Sequence, residues 1–397
     1  MRLAGRRVVL GVSGGIACYK SCILVRRLRE AGAEVDVVMT RGATKFVRPV
    51  TFEALSGRPV RTSLWTSGEA LDHVRLARDA ELIVVAPATA DLLARAALGL
   101  ADDLLTTILL ARRGPVLAAP AMNDQMYAAA PTQAHIASLA ARGWHFVGPA
   151  AGSLAEGESD SPGRMSEPEE IAEHIARSLR SGGGLDGKHV LITAGPTREA
   201  IDPVRVITNR SSGKMGYRLA EAAWRRGARV TLISGPSSER VHHGITTVRI
   251  ESTAELRDRV AEQLPATDIL IMAAAPADFA PAATASEKTP RQSGNQLLEL
   301  VPTPDILSDT RPLRKPGMLA VGFALETGDA VRKGQSKLSR KGLDLIVVND
   351  ALEPGAGFEV DTNVVSILHK DQRRTDVSLA SKADVAEAIL DAVEAEL

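Results

Sequence analysis

Residues Gly195 to Gly216 read GPTREAIDPVRVITNRSSGKMG, and the reading of this stretch decides the fold. Upstream lies a short apolar run, His189 to Thr193, with the pattern of a strand; downstream, Lys214 to Arg226 places its apolar residues at helical spacing. A connection this long, with no period of its own, is either a binding loop or disordered. Ile201, Val204, Val206 and Ile207 give it apolar anchors, which favours order. Its end, Ser211-Ser212-Gly213-Lys214-Met215-Gly216, joins hydroxyls and glycines to a helix N-terminus, the ingredients of an anion site. The strict phosphate-loop spacing fails, because Thr208 and Met215 stand where it needs Gly and Ser or Thr. A Ser N-cap followed by glycines that let the helix pack closely explains the same residues, so both readings stand.

Outward from this loop, the second half of the chain alternates strands and helices. Strands are expected at His189 to Thr193, Val230 to Ile233, Thr247 to Ile250, Ile269 to Ala273, Met318 to Ala324 and Leu343 to Val348, which predicts a doubly wound sheet. The loops carry Ala277-Asp278-Phe279, Glu287-Lys288, Pro304 to Leu307, Phe323 to Thr327 and Lys337 to Lys341. Lysines and an Asp spread over loops suit a triphosphate with magnesium, or are ordinary surface charges. No G-x-G-x-x-G follows the first strand, which argues against a plain dinucleotide dehydrogenase.

The first half repeats the pattern, with strands expected at Val8 to Gly11, Val35 to Met39, Leu82 to Ala86, Val116 to Ala119 and His145 to Val147. Ligands of such sheets gather at the carboxyl ends of strands. Those ends hold Ser13-Gly14-Gly15, Thr40, Pro87-Ala88-Thr89-Ala90 and Pro120 to Asn123, small or hydroxyl-bearing groups that admit a phosphate and a flat ring. His73 stands alone beside apolar residues, as a packed side chain would. Asp102 and Asp103 read either as paired carboxylates or as the cap of a helix from Leu104 to Ala111. Gly148 to Pro168 is a flap or linker, a helix spans Glu169 to Leu179, and Ser181 to Gly184 ends the first domain.

Bulk properties exclude several classes. At 397 residues and 45% hydrophobic content the chain has room for two or three packed domains. Lys plus Arg and Asp plus Glu are 48 each, so net charge points to neither nucleic acid nor an anionic membrane as partner, and Arg225-Arg226 reads as a solvated helix face. The basic, apolar N-terminus is broken by Ser13-Gly14-Gly15 and reads as a first strand, not a secretion signal. No run approaches the roughly 18 apolar residues of a membrane span. Cys18 and Cys22 are one helical turn apart, too few for a structural zinc site, and fit small buried side chains in a reducing cytoplasm.

Taken together, GVSGGIACYK, APATADLLAR, PAMNDQM, GPTREAIDPVRVITNRSSGKMG, AAAPADF, VGFALET and KLSRKGLDLIVVND, in that order, resemble the bifunctional phosphopantothenoylcysteine decarboxylase and phosphopantothenate-cysteine ligase family of bacterial coenzyme A biosynthesis. The resemblance implies a flavodoxin-like flavin domain over residues 1–186 and a CTP-dependent ligase domain over 187–397. FMN would lie against Ser13, Gly14, Gly15, Thr40, Pro87, Ala88 and Thr89, with Asp102 and Thr106 nearby. His73 matches the family's active-site histidine and Asn123 the asparagine that holds the substrate carboxylate, so the resemblance reverses the bland reading of His73. The nucleotide site would take Met272, Ala273, Ala274, Asp278, Lys288, Pro304, Asp305, Ile306, Leu307, Phe323, Lys337 and Lys341, with Mg2+ held by residues the sequence does not name. Asn209 matches the asparagine acting at the acyl-cytidylate stage, and Lys288 the cation for the first half-reaction. Substrates would be 4'-phosphopantothenate, cysteine, CTP and 4'-phosphopantothenoylcysteine, and the chain a cytoplasmic homo-oligomer with trimeric flavin and dimeric ligase domains. Two departures stand out. The family's flap carries Ala-Cys-Gly before Gly-Arg-Met, with the cysteine as proton donor, whereas here Leu154-Ala155-Glu156-Gly157 precedes Gly163-Arg164-Met165, and Glu156 becomes the candidate donor. The lysine-rich run after Lys288 becomes Thr289-Pro290-Arg291. Alternatives to the full bifunctional reading are a chain active only as ligase and a non-catalytic regulatory flavoprotein.

Overall fold

A computed structural model describes residues 3–65, 71–152, 157, 159–180, 182–241, 244–290, 297–326, 328–350 and 360–397. The chain divides into two compact units, Met1–Arg180 and Ser181–Leu397. In the first, β1 (Arg7–Val12), β2 (Glu34–Met39), β3 (Leu82–Ala88), β4 (Val116–Pro120) and β5 (Trp144–Phe146) form one parallel sheet in the order β2-β1-β3-β4-β5. Both faces are covered. Val8, Leu10 and Val12 pack with Leu24, Val25 and Leu28 of helix Cys18–Glu30 and with Ile171 and Ile175 of helix Pro168–Leu179. Val9 turns the other way, toward Leu76, Leu92, Leu105 and Ile108 of the helices on the opposite face. Burial on both faces is why β3 reads as an unbroken apolar run, every residue of it buried.

The second unit is built on β6 (His189–Ala194), with a small antiparallel hairpin of β7 (Arg198–Ala200) and β8 (Val206–Thr208) inside the long loop. The sequence reading placed no strand inside that loop. Then follow β9 (Arg229–Ser234), β10 (Thr246–Arg249), β11 (Ile269–Met272), a second small hairpin of β12 (Phe279–Pro281) and β13 (Leu300–Pro302), β14 (Leu319–Glu326), β15 (Leu345–Asp350), β16 (Thr362–His369) and β17 (Arg374–Ser381). The main sheet runs β10-β9-β6-β11-β14-β15-β16-β17. Its first six strands are parallel, and β16 and β17 add an antiparallel edge that the sequence reading did not anticipate.

The pair Arg225-Arg226 overturns a sequence expectation. Both are buried, at 5% and 6% exposure, between the helix beginning at Lys214 and helix Lys382–Glu394. Arg226 reaches Glu387 at 2.7 Å, Asp391 at 2.6 Å and Glu394 at 2.8 Å, and Arg225 reaches Glu387 at 3.2 Å. These acids lie about 160 positions downstream, where helical spacing around the arginines gives no hint of them. Removing one partner of a buried charge leaves the other without compensation. Glu387→Ala is therefore expected to destabilise the second unit by roughly 3 kcal/mol in urea denaturation, whereas a change below about 0.5 kcal/mol is the range of a solvated surface substitution and would contradict the buried-network description.

Candidate active sites

In the first unit the chain leaves β1 toward β2 on one side and later reaches β3 on the other, so the loops after β1 and β3 part and open a crevice. A cleft of about 760 Å³ lies there, lined by Ser13, Gly14, Gly15, Thr40, Thr89, Asn123, Arg95, Lys20 and Arg164 among others. Ser13 ties the two loops together: its Oγ donates to Pro87 O at 2.7 Å, lies 3.1 Å from Thr89 Oγ1, and accepts from Thr89 N–H at 3.1 Å. Gly14 has to be glycine for contact, since a Cβ there would sit 2.7 Å from the Gly42 backbone. Helix Cys18–Glu30 starts at the cleft without a side-chain cap, its Cys18 N–H donating to Gly15 O at 3.0 Å and its Lys20 N–H to Ala17 O at 2.9 Å. An anionic ligand with a flat apolar part fits this lining, because Ile16, Met122 and Met126 stand beside the hydroxyls and glycines.

Asn123 caps helix Asp124–Ala128, its Oδ1 accepting from Gln125 N–H at 2.8 Å and Met126 N–H at 3.3 Å. With that oxygen committed, any contact it makes to a carboxylate comes from its NH2. The base of the flap is held next to it: Met122 N–H donates to Gly163 O, and Lys20 Nζ, buried at 4% exposure, donates to Met165 O at 2.8 Å and Glu167 at 3.1 Å. Glu156 lies outside the described residues. His73 sits in the first turn of helix Asp72–Asp79, half-exposed, and does not line the cleft of its own chain. Asp103, not Asp102, caps helix Leu104–Ala111 in a capping box with Thr106, which is buried; Asp102 pairs with Arg95 at 2.6 Å. Neither Asp102 nor Thr106 lines the cleft, and the same holds for Pro87 and Ala88, whose contribution is the Pro87 carbonyl. Arg95 was missed as a site residue although it ends the APATADLLAR motif; Asp103 and Asp102 hold its guanidinium at the cleft wall.

The second unit has a different strand order but the same kind of switch point. Taken alone, the six parallel strands lie in the order third, second, first, fourth, fifth, sixth, so the crevice falls between β6 and β11. The loops after those strands are laced together: Ala275 N–H donates to Gly195 O at 2.9 Å, Ala277 N–H to Thr197 Oγ1 at 2.9 Å, and Ala274 N–H to Thr193 Oγ1 at 3.1 Å. Asn209 Nδ2 closes the lacing, donating to Ala275 O at 3.1 Å and Pro276 O at 2.9 Å. Of the two readings of Ser211 to Gly216, the Ser N-cap is corrected. Gly213, at φ +83°, is the N-cap of helix Lys214–Arg225 and no side chain caps it. Gly216 lets that helix sit on β6, where a Cβ would meet Thr193 O at 2.9 Å.

Thr303 donates to Asp278 O and Ala277 O, bringing Pro304 to Leu307 beside the exposed Asp278. Asp305 pairs with Lys341 and caps the short helix Ile306–Asp309; burial raises its carboxyl's pKa, but the Lys341 and Ser308 hydrogen bonds outweigh this and hold it below the ordinary range. Lys337 pairs with Glu326 at 2.5 Å, Met272 is buried against Thr193, Phe323 is half-buried on β14, and Lys288 is exposed. Among the described residues no group of three or more His, Cys, Asp or Glu is placed to hold a metal ion, and no helix is long and apolar enough to cross a membrane.

Residues 2–180 match the Flavoprotein family, and residues 185–397 match the family described as DNA/pantothenate metabolism flavoprotein C-terminal domain. The coenzyme A biosynthesis bifunctional protein CoaBC of Bacillus subtilis is 46% identical over 400 residues, spanning 99% of this chain and 98% of that protein. Its counterpart from Vibrio parahaemolyticus is 44% identical over 393 residues, 98% of both. This chain belongs to the CoaBC family. A crystallised C-terminal domain of a CoaBC protein is 38% identical over 54% of this chain and 97% of its own, with a TM-score of 0.46. As a CoaBC-family protein the chain is a bifunctional enzyme of coenzyme A biosynthesis, and its first unit is a flavoprotein domain. The Gly14–Gly42 approach makes a direct test of the cleft. Gly14→Ala is expected to yield protein that purifies without flavin absorbance while keeping ligase activity; full flavin content would show that the loop tolerates the added carbon.

Proposed function

We propose that residues 1–186 carry FMN-dependent decarboxylation of 4'-phosphopantothenoylcysteine and residues 187–397 the CTP-dependent ligation of cysteine to 4'-phosphopantothenate that precedes it. The chain is a bifunctional decarboxylase and ligase. The observation that carries the division of labour is that one chain holds two switch-point crevices with different linings, hydroxyls and glycines beside apolar groups in one, laced backbone and lysines in the other.

In the ligase, the substrate carboxylate attacks the α-phosphorus of CTP, pyrophosphate leaves, and cysteine's amine then displaces CMP from the acyl cytidylate. Lys288 neutralises charge that builds on the phosphates in the first step. Asn209, its Nδ2 fixed on Ala275 and Pro276, keeps Oδ1 for the incoming amine of the second. Met272, Ala273, Ala274, Asp278, Phe323 and the Pro304 to Leu307 turn form the nucleotide pocket, with Lys337 and Lys341 exchanging Glu326 and Asp305 for phosphate. Mg2+, if bound with the triphosphate, would neutralise phosphate charge; among the described residues no cluster of three or more His, Cys, Asp or Glu is placed to hold it without the nucleotide. The uncapped start of helix Lys214–Arg225 is suited to the substrate phosphate.

In the decarboxylase, FMN, when bound, supplies the two-electron oxidation of the cysteinyl thiol and its reversal. Ser13, Gly14, Gly15, Thr40 and Thr89 would hold it, with Pro87 anchoring Ser13 through its carbonyl, Asn123 holds the substrate carboxylate through its NH2, and His73 and Glu156 move protons. His73 does not line its own cleft, and this supports trimeric flavin domains in which a neighbouring copy supplies it. Ligase domains pair as dimers, and the protein works in the cytoplasm.

Two measurements test the ligase assignment. Pyrophosphate release with phosphopantothenate is expected with CTP and to be poor with ATP; equal rates would refute the nucleotide assignment. Lys288→Gln is expected to form no acyl cytidylate, and Asn209→Asp to accumulate it, as read by mass spectrometry of quenched reactions; arrest of both at one step would refute the split of roles.

A further inference from the structure

The turn joining β7 to β8 contains a carboxylate that a hairpin of this kind does not require. Asp202 has a fully buried side chain, a rare state for an acid. Its Oδ1 accepts from the N–H groups of Val204 at 2.9 Å and Arg205 at 2.8 Å, which shapes the turn. Oδ2 links the turn to a distant segment: it accepts from Arg205 Nε at 2.8 Å and from the N–H of Thr289 at 3.2 Å. Arg205 in turn donates to the carbonyl of that same Thr289 at 2.9 Å. Both backbone polar groups of Thr289 are thus held by one ion pair, across more than 80 positions of sequence. Two further bonds lay the segment along the hairpin, Ala285 N–H to Ile201 O at 3.0 Å and Thr284 Oγ1 to Ala200 O at 3.1 Å.

Lys288 is the residue immediately before the doubly held Thr289 and is itself exposed. From residue 282 to 290 the chain is in neither strand nor helix, so regular structure does not fix the lysine's backbone. A flexible cation contributes to catalysis only when it is held at the position where charge develops. We propose that the Asp202–Arg205 pair is the positioning device for Lys288, clamping Thr289 so that the ammonium is presented to the reacting phosphates. The inference rests on the assignment of Lys288 to acyl-cytidylate formation. Hydrogen bonds from Arg205 hold the Asp202 carboxyl well below the ordinary carboxylate range against the opposing effect of burial, so the clamp stays charged at any pH at which the enzyme works.

The test uses the full-length holoenzyme. Asp202→Asn keeps the shape but offers one acceptor oxygen where two are needed. It is expected to slow pyrophosphate release in a single turnover by about 10²-fold and to accumulate no acyl cytidylate, with CTP affinity by calorimetry unchanged. Thr289→Pro removes the clamped N–H, though it also fixes φ at 289 and restricts the backbone of Lys288; it leaves the Val204 and Arg205 N–H bonds of the Asp202 turn in place and is expected to slow the same step. The double variant Asp202→Asn, Lys288→Gln separates positioning from general support of the fold: it should be no slower than Lys288→Gln alone. A slow Lys288→Gln combined with an unimpaired Asp202→Asn, or with additive losses in the double variant, overturns the clamp alone. A fully active Lys288→Gln overturns the assignment of Lys288, and the clamp with it.

Discussion

Two parallel neighbours in a sheet cannot be joined by a tight turn, so every connection between them has to cross a face of the sheet. Both units obey this constraint with the first strand in the interior and the next connections leaving it on opposite sides. Where they part, no chain closes the gap at the carboxyl ends of the strands, and a crevice follows from topology alone. The two crevices differ in what their loops then do. In the first unit Ser13, through its hydroxyl and its N–H, ties the end of β1 to Pro87 and Thr89. In the second, four residues of one loop exchange backbone and side-chain bonds with Ala274 to Ala277 of the other.

That difference suits the two chemistries. A flavin brings its own reactivity, so the first crevice has to admit a flat ring and hold it, and glycines at Gly14 and Gly42 do so by letting the backbones approach. Acyl transfer through a cytidylate gets no such help. Its barrier has to be lowered by fixed donors and cations, which requires loops stiff enough to keep them in place. The lacing of the second crevice, continued through the β7–β8 hairpin to Thr289, supplies that stiffness from bonds that are local in space and remote in sequence.

Remoteness also explains what was legible beforehand. Every strand of the parallel sheets was placed with ends within about two residues, most from apolar runs, because burial on both faces leaves only one pattern; the edge strand β10, with no fully buried residue, lacks that run. Strand β16, between β15 and the edge strand β17, alternates buried and half-buried residues over its first half and carried a period-two signal that was passed over. Its partner β17 is mostly exposed and carried little. Three-residue strands such as β7 and β12 are shorter than any periodicity. The quoted motifs located Ser13, Thr89, Asn123 and Asn209 at the crevices; the first three lie at or just past the end of a strand that could be seen, whereas Asn209 follows the short strand β8 and was found by its motif alone. Arg226 with Glu387, and Asp202 with Thr289, could not be found in this way, since only the folded chain brings them together.

The central claim is that one chain performs both steps in order. Purified holoenzyme given 4'-phosphopantothenate, CTP, Mg2+ and cysteine labelled in its carboxyl carbon tests it most directly. The account expects labelled carbon dioxide, 4'-phosphopantetheine, CMP and pyrophosphate in equal amounts, each dependent on CTP. Labelled 4'-phosphopantothenoylcysteine accumulating with no release of carbon dioxide would contradict it, and would leave the first unit without its assigned activity.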